Sequence, residues 1–173
     1  CYFDSVDGDS HRLKIRIRWY GELFGKIERP VLELKIKNGL VGRKESYVLN
    51  PFTLNSHFTI EVLQNTLEQS AIPPLVKENM KKLSPSLVNQ YSRKYFQSAC
   101  SKYRITLDVD QSFYHITRYM NLFSTKTMDT TNVILELKYN KEFDTEASYI
   151  TNYFPFRLTK SSKYINGMNY LLG

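Results

Sequence analysis

Basic side chains alternate along residues 12–20, RLKIRIRWY. At the two-residue period of a β-strand, Lys14, Arg16 and Arg18 point to one face and apolar side chains point to the other. The three cations lie within about 14 Å of one another. Because like charges repel, a fold retains such a face where water or a bound anion lies against it. Arg donates forked hydrogen bonds and Lys supplies a mobile point charge, so a chain of phosphate groups would suit this face.

Three further segments show the same alternation, at residues 31–37, 103–110 and 132–139. Their polar positions hold both signs of charge: Glu33, Lys35, Lys37, Arg104, Asp108, Asp110, Glu136 and Lys138. One interpretation is an open antiparallel sheet whose charged face meets solvent. The other is a barrel with a hydrated, charged lumen and an apolar outside covered by helices, which closes its edges. The recurrence of Arg and Lys at every second position favours the barrel.

Other signals place the elements around these strands. Asn38-Gly39 is a hairpin signal, so a strand is expected at about 43–49, with Lys44 near the same polar surface. Helical spacing begins at Asn55 and ends at Pro73-Pro74, and a second short helix is expected through residues 75–83. We expect further strands at about 87–97 and 113–120, turns at 5–10, and a closing helix that includes residues 158–164.

Length and composition bound the partners. The 173 residues fit one domain, 1–173, and the net charge of +7 indicates a polyanionic partner: nucleic acid, an anionic membrane or a phosphate compound. The aromatic content of 14% could support base stacking, but rings at strand spacing favour packing within a barrel, and no nucleic acid is expected.

The remaining residue types exclude several kinds of site. Cys1 and Cys100 have no spacing typical of a disulfide framework or a zinc site, which favours reduced thiols and a cytoplasmic location. No apolar run is long enough to span a membrane, and no signal peptide is visible. His11, His57 and His115 share no metal-ligand spacing.

Carboxylates on the polar faces are candidate metal ligands. Phosphoryl transfer needs a divalent ion that bridges phosphate oxygens, and Glu136 could bind it. The alternative for Glu136 is a structural ion pair. Asp108 and Asp110 could also bind metal, but pairing with Arg104 or nearby cations is the favoured interpretation.

Seven separated runs together resemble the vacuolar transporter chaperone (VTC) domain, the polyphosphate polymerase branch of the triphosphate tunnel metalloenzymes. They are residues 2–4 (YFD), 14–21 (KIRIRWYG), 32–35 (LELK), 91–93 (YSR), 103–108 (YRITLD), 135–139 (LELKY) and 162–164 (SKY). The resemblance covers nearly the whole chain. It implies an α+β fold, an antiparallel tunnel barrel with flanking helices and a closing C-terminal helix. It also implies transfer of the terminal phosphate of ATP onto polyphosphate with Mn²⁺ or Mg²⁺.

The resemblance also implies residue roles. The residues implied in catalysis are Arg16, Arg18, Lys35, Lys44, Arg93 and Lys163, and those implied in phosphate binding are Lys14, Tyr91, Arg104, Lys160 and Ser162. Glu136 matches the metal-binding glutamate. No covalent protein nucleophile is implied, since positioning and charge neutralisation would carry catalysis.

The chain departs from the family pattern in two ways. Family members have a strand that carries a Glu and a Lys-Tyr before the Tyr-Phe-Asp sequence, and this strand is not part of the sequence. The spacing from Tyr2-Phe3-Asp4 to Lys14 is also shorter than in the family. The 173 residues contain neither the regulatory SPX domain nor the membrane helices of eukaryotic members, so we expect a stand-alone bacterial member. Two other functions remain open: a tunnel hydrolase of inorganic triphosphate or nucleoside triphosphates, and a non-catalytic polyanion binder.

Overall fold

The computed structural model describes residues 11–38, 41–119, 121–123 and 126–172. The fold is α+β. The strands are β1 (His11–Arg18), β2 (Gly25–Ile27), β3 (Val31–Asn38), β4 (Val41–Val48), β5 (Phe52–Leu54), β6 (Leu87–Gln97), β7 (Arg104–His115), β8 (Lys126–Asp129) and β9 (Ile134–Lys138). The helices are α1 (Ile60–Gln69), α2 (Pro74–Lys81), α3 (Asp144–Thr151) and α4 (Lys163–Leu172), and a 3₁₀ turn, Lys141–Phe143, precedes α3.

The described strands form three sheets. The first has the order β1-β3-β4, the second pairs β2 with β5, and the third has the order β6-β7-β8 with β9 on the first part of β7. The pairs β1–β3, β3–β4, β2–β5 and β7–β9 are antiparallel. The α+β class and the antiparallel pairing are therefore confirmed. These described strands do not form a closed barrel, so the tunnel stays a prediction.

The sheet β1-β3-β4 has the two faces that the alternation predicted. On one face Leu32 and Leu34 are buried, and Ile15 and Ile17 pack against the hydrophobic core. On the other face Arg16 lies directly opposite Glu33. A strand buries one face and hydrates the other when its side chains alternate in this way. The apolar face of the sheet thus packs on the core, and the charged side chains lie on the opposite face.

Both predicted helices after β5 are present and shorter than the helical spacing suggested. Helix α1 begins at Ile60 because the side chain of Thr59 caps it, accepting a hydrogen bond from the backbone N–H of Val62. It ends before Pro73, and Pro74 occupies the first turn of α2, where proline is tolerated. The buried Leu63 and Leu67 of α1 complete the core over the sheet.

The strand predicted at 113–120 is wrong as a separate element. Residues 104–115 form one strand, β7, and the segment after His115 is irregular. Asp110 has a φ of 53°, in the left-handed region, so it interrupts the alternation inside the strand. Asp108 before it is buried, Asp110 is exposed, and Gln111 after it is buried.

The extent predicted for the closing helix is also wrong. Helix α4 begins at Lys163, so Leu158, Lys160 and Ser162 lie before it. Ser162 takes the N-cap position, where its carbonyl accepts a hydrogen bond of 2.9 Å from the backbone N–H of Asn166. Serine favours this position over a helix interior because its hydroxyl competes for backbone hydrogen bonds.

The chain divides into two compact units, residues 1–88 with 114–126 and residues 89–113 with 127–173. Each unit uses two separate stretches of chain, and the prediction of a single domain stays a prediction. Cys100 is exposed and unpaired, whereas Cys1, the predicted turn at 5–10 and Gly39 of the predicted hairpin turn lie outside the described residues. Among the described helices, none has the length and apolar character needed to cross a membrane.

Candidate anion-binding site

The sheet β1-β3-β4 carries a group of basic residues around one carboxylate, which we call the Glu33 cluster: Lys14, Arg16, Arg18, Glu33, Lys35 and Lys44. Lys14, Lys35 and Lys44 are directly opposite one another across the three strands, and the neighbouring row is Arg16, Glu33 and Ser46. Like charges opposite one another destabilise a sheet. The structure brings together five of the basic residues that the sequence assigned to this face, and Lys37 lies farther along the same face of β3.

Glu33 is the common partner of three of these cations. Its side chain is 4% exposed, and its Oε2 lies 2.6 Å from both Nε and Nη2 of Arg16. Its Oε1 lies 2.8 Å from Nζ of Lys44 and 3.1 Å from Nη2 of Arg18. The side chain of Arg16 is 61% exposed. The carboxylate therefore lies beneath the cations, which keep their outer sides open.

The second unit has a similar arrangement, which we call the Asp108 cluster: Tyr91, Arg93, Asp108 and Lys163. Arg93 forms a bidentate ion pair with Asp108, with Nε at 2.5 Å from Oδ1 and Nη2 at 2.7 Å from Oδ2. Nζ of Lys163 lies 2.5 Å from Oδ2. The side chain of Asp108 is 1% exposed. Lys163 is the first residue of α4, so this contact joins the start of α4 to Asp108 on β7.

Tyr91 adds a cation–π contact to both cations of the Asp108 cluster. The guanidinium of Arg93 lies 5.2 Å from the centre of the Tyr91 ring, and Nζ of Lys163 lies 4.5 Å from it. A ring face attracts a nearby cation through its quadrupole. The Tyr-x-Arg spacing predicted from the sequence thus places the ring against the cation two residues later on β6, and against the first residue of α4.

Glu136 lies on β9 opposite Thr106, with Lys138 opposite Arg104. Its side chain is 48% exposed, and its Oε2 lies 3.3 Å from Nζ of Lys138. The described residues contain no group of three or more His, Cys, Asp or Glu side chains that could hold a metal ion. Mg²⁺ usually binds one or two carboxylates and takes further ligands from water and substrate phosphates. An exposed Glu136 fits such a one-carboxylate site.

Three of the predicted phosphate-binding residues, Arg104, Lys160 and Ser162, lie outside these clusters. Lys160 is exposed and forms no ion pair with the described part of the chain. Ser162 directly precedes α4, and its backbone carbonyl accepts the first hydrogen bond of that helix. Arg104 is exposed and lines an open cleft of about 500 Å³ with Lys138, Tyr139 and Phe143.

Sequence reasoning missed the roles of the two buried carboxylates. Glu33 was assigned no function, and Asp108 was expected to pair with Arg104 or nearby cations. The pairing is confirmed, but the partners are Arg93 and Lys163. For Glu33, the lone acidic position on a face of alternating cations was a usable signal. For Asp108, the partner on α4 is 55 residues away, so local spacing held no signal.

The cations hold both carboxylates ionised. Burial raises the pKa of Glu33. Hydrogen bonds from Lys44 and Arg16 and the charges of Arg16 and Arg18 lower it by more than burial raises it, so the net pKa lies below the ordinary 4.5. Burial likewise raises the pKa of Asp108, and the hydrogen bonds and charges of Arg93 and Lys163 bring it below the ordinary 3.8.

These shifts predict an acid-sensitive fold. Because both folded-state pKa values lie below the unfolded ones, the stabilisation is fully present above the unfolded values and is lost as the pH falls through the folded values. We expect the free energy of unfolding in urea to decrease steadily between about pH 5 and about pH 2. In Glu33→Gln this decrease should be smaller. A free energy of unfolding that is constant over this interval would contradict the assignment.

Comparison with known protein families gives a match to the VTC domain over residues 1–172. A search among curated proteins gives no match. The matched range includes the basic strand β1, the Glu-Leu-Lys sequences of β3 and β9, and the Tyr-x-Arg sequence of β6. The chain belongs to the VTC domain family.

Proposed function

We propose that this protein is a polyphosphate polymerase-like phosphotransferase in which the Glu33 cluster of the first unit and the Asp108 cluster of the second unit each bind phosphate groups. The observation that carries the proposal is the row Lys14, Lys35 and Lys44 beside Arg16 and Arg18, with Glu33 in contact with Arg16, Arg18 and Lys44. A linear polyanion is the ligand whose repeated charges match a row of cations at strand spacing. Membership of the VTC family supports this substrate class.

In the proposed reaction a terminal oxygen of the polyphosphate chain attacks the γ-phosphorus of ATP. A P–O bond forms to the chain, the bond from the γ-phosphorus to the β–γ bridging oxygen breaks, and ADP leaves. In the first unit, Arg16 and Arg18 bind and orient phosphate oxygens, and Lys35 and Lys44 neutralise the charge that develops on them. In the second unit, Arg93 and Lys163 supply the same two types of group. No side chain forms a covalent bond with phosphate.

Glu136 would hold a divalent cation, Mn²⁺ or Mg²⁺, which neutralises charge between phosphate oxygens when it is bound. The tunnel barrel expected from the family is part of the same proposal. An enclosed site would exclude bulk water and so favour transfer to phosphate over hydrolysis.

The proposal is tested by incubating the purified protein with ATP and Mn²⁺ and separating the products by gel electrophoresis. We expect long-chain polyphosphate and ADP. Release of orthophosphate without polyphosphate would identify the protein as a triphosphate hydrolase and not as a polymerase. Binding of polyphosphate with no turnover would replace it with a polyanion binder.

Removing one guanidinium tests the phosphate-binding role. We expect Arg16→Ala to weaken the binding of inorganic tripolyphosphate about 10- to 100-fold in calorimetry, since a hydrogen bond to a charged group contributes about 1.5–3 kcal/mol. The free energy of unfolding should change by less than about 1 kcal/mol, because Arg16 is mostly exposed and Glu33 keeps Arg18 and Lys44.

The matched control is Arg43→Ala. Arg43 is the neighbour of Lys44 on β4, lies opposite Ile36 on the other face of the sheet, and is 70% exposed. We expect this variant to bind tripolyphosphate like the wild type. Global unfolding of Arg16→Ala, or an equal loss of affinity in Arg43→Ala, would show that Arg16 has no specific role with phosphate.

A further inference from the structure

Each cationic cluster is built around one buried carboxylate. Glu33 contacts Arg16, Arg18 and Lys44, and Asp108 contacts Arg93 and Lys163, as described above. The two carboxylates are 4% and 1% exposed, and every cation that they bind is more exposed than they are. The same arrangement therefore occurs independently in both units.

The contacts leave donors on the cations for a second anion. A guanidinium has five N–H donors, and Glu33 binds Arg16 through two of its nitrogens, Nε and Nη2. The contact of Arg18 with Glu33 uses Nη2, and its Nη1 donates a hydrogen bond of 3.0 Å to the Tyr20 hydroxyl, so each of these two nitrogens keeps one further N–H. Lys44 has three donors and gives one contact to Glu33. An anion that lay on the open side would complete these hydrogen bonds without displacing Glu33.

We propose that Glu33 and Asp108 are internal counterions, each of which holds the phosphate-binding cations of its own cluster in place while limiting the affinity of that cluster for a polyanion. This rests on the proposed function and adds to it two positioning residues. A carboxylate beneath the cations fixes their direction before substrate arrives, which lowers the entropic cost of binding. Its negative charge also repels the phosphate chain, and this repulsion permits a growing polyanion to move on and leave.

The sign of one measurement separates this role from a purely structural one. Glu33→Gln keeps the shape and an acceptor oxygen but removes the charge. We expect the dissociation constant of tripolyphosphate to fall about tenfold, the scale of one charge interaction at partly screened distance. A structural role predicts weaker or unchanged binding, because a loosened site would lose affinity.

The matched control is Glu45→Gln. Glu45 lies on β4 opposite Leu34, on the other face of the sheet, where it binds Arg43 and accepts a hydrogen bond from the Tyr47 hydroxyl. The Glu45→Gln substitution changes the net charge of the protein by the same amount as Glu33→Gln. We expect its affinity for tripolyphosphate to stay within about twofold of the wild type, because its charge lies across the sheet from the proposed ligand.

Binding is measured by calorimetry on protein whose folding is verified by circular dichroism. If Glu33→Gln does not fold, Asp108→Asn tests the same claim in the second unit, with the exposed Glu146→Gln as control. Tighter binding in the tested variant alone supports the proposal. Unchanged or weaker binding overturns it and leaves the proposed function intact. A wild-type protein that does not bind tripolyphosphate overturns both.

Discussion

Glu136→Gln is expected to reduce metal-dependent turnover of ATP at least about 100-fold, the scale seen when a group that stabilises transition-state charge is removed. The amide keeps the size of the side chain but loses the negative charge that a divalent cation requires. Because Glu136 is half exposed and forms an ion pair with the similarly exposed Lys138, loss of its charge should leave the free energy of unfolding nearly unchanged. Phosphate release and polyphosphate formation are measured against Mn²⁺ concentration.

A measurement of tripolyphosphate binding distinguishes a metal-binding role of Glu136 from a role in phosphate recognition. In the absence of metal, Glu136→Gln should bind tripolyphosphate as well as the wild type or more tightly, because one negative charge has been removed. The control is Glu146→Gln, an exposed glutamate of the same unit that pairs with Lys102, which should retain full turnover. A Glu136→Gln protein with wild-type metal-dependent turnover would show that Glu136 is only an ion-pair partner of Lys138.

Asp108→Asn is expected to lower the free energy of unfolding by about 3 kcal/mol, because removing one member of a buried ion pair leaves its partners without compensation. The two cations that would lose their counterion, Arg93 and Lys163, are about one-fifth exposed. The asparagine can still accept one hydrogen bond, but it cannot balance two positive charges. Urea denaturation monitored by circular dichroism gives the value.

The contrast with Glu146→Gln makes this prediction specific. Glu146 also binds a lysine, but its side chain is 58% exposed, and an exposed ion pair contributes about 1 kcal/mol or less. A loss below about 1 kcal/mol in Asp108→Asn would mean that the Asp108 cluster does not hold α4 to β7.

The charged faces of the strands could be predicted from the sequence because alternation is a local property. The spacing of Lys14, Arg16 and Arg18 determines which face each side chain occupies, and the antiparallel register then brings Lys35 and Lys44 alongside. The helix boundaries near Pro73-Pro74 followed from proline geometry in the same way.

Features that depend on distant parts of the chain could not be predicted. The contact between Asp108 and Lys163 joins β7 to α4, and no periodicity reports on it. The start of α4 was placed too early because Lys160 and Ser162 fit a family motif, whereas serine chemistry favours the cap. Closure into the predicted tunnel would depend on long-range pairing, which local alternation does not specify.

Anion binding at the Glu33 cluster is tested most directly by a crystal structure of the protein with inorganic tripolyphosphate. We expect phosphate oxygens within about 3 Å of the guanidinium groups of Arg16 and Arg18, with Glu33 still bound beneath them. Tripolyphosphate bound only at other surfaces, with water alone over the Glu33 cluster, would contradict it.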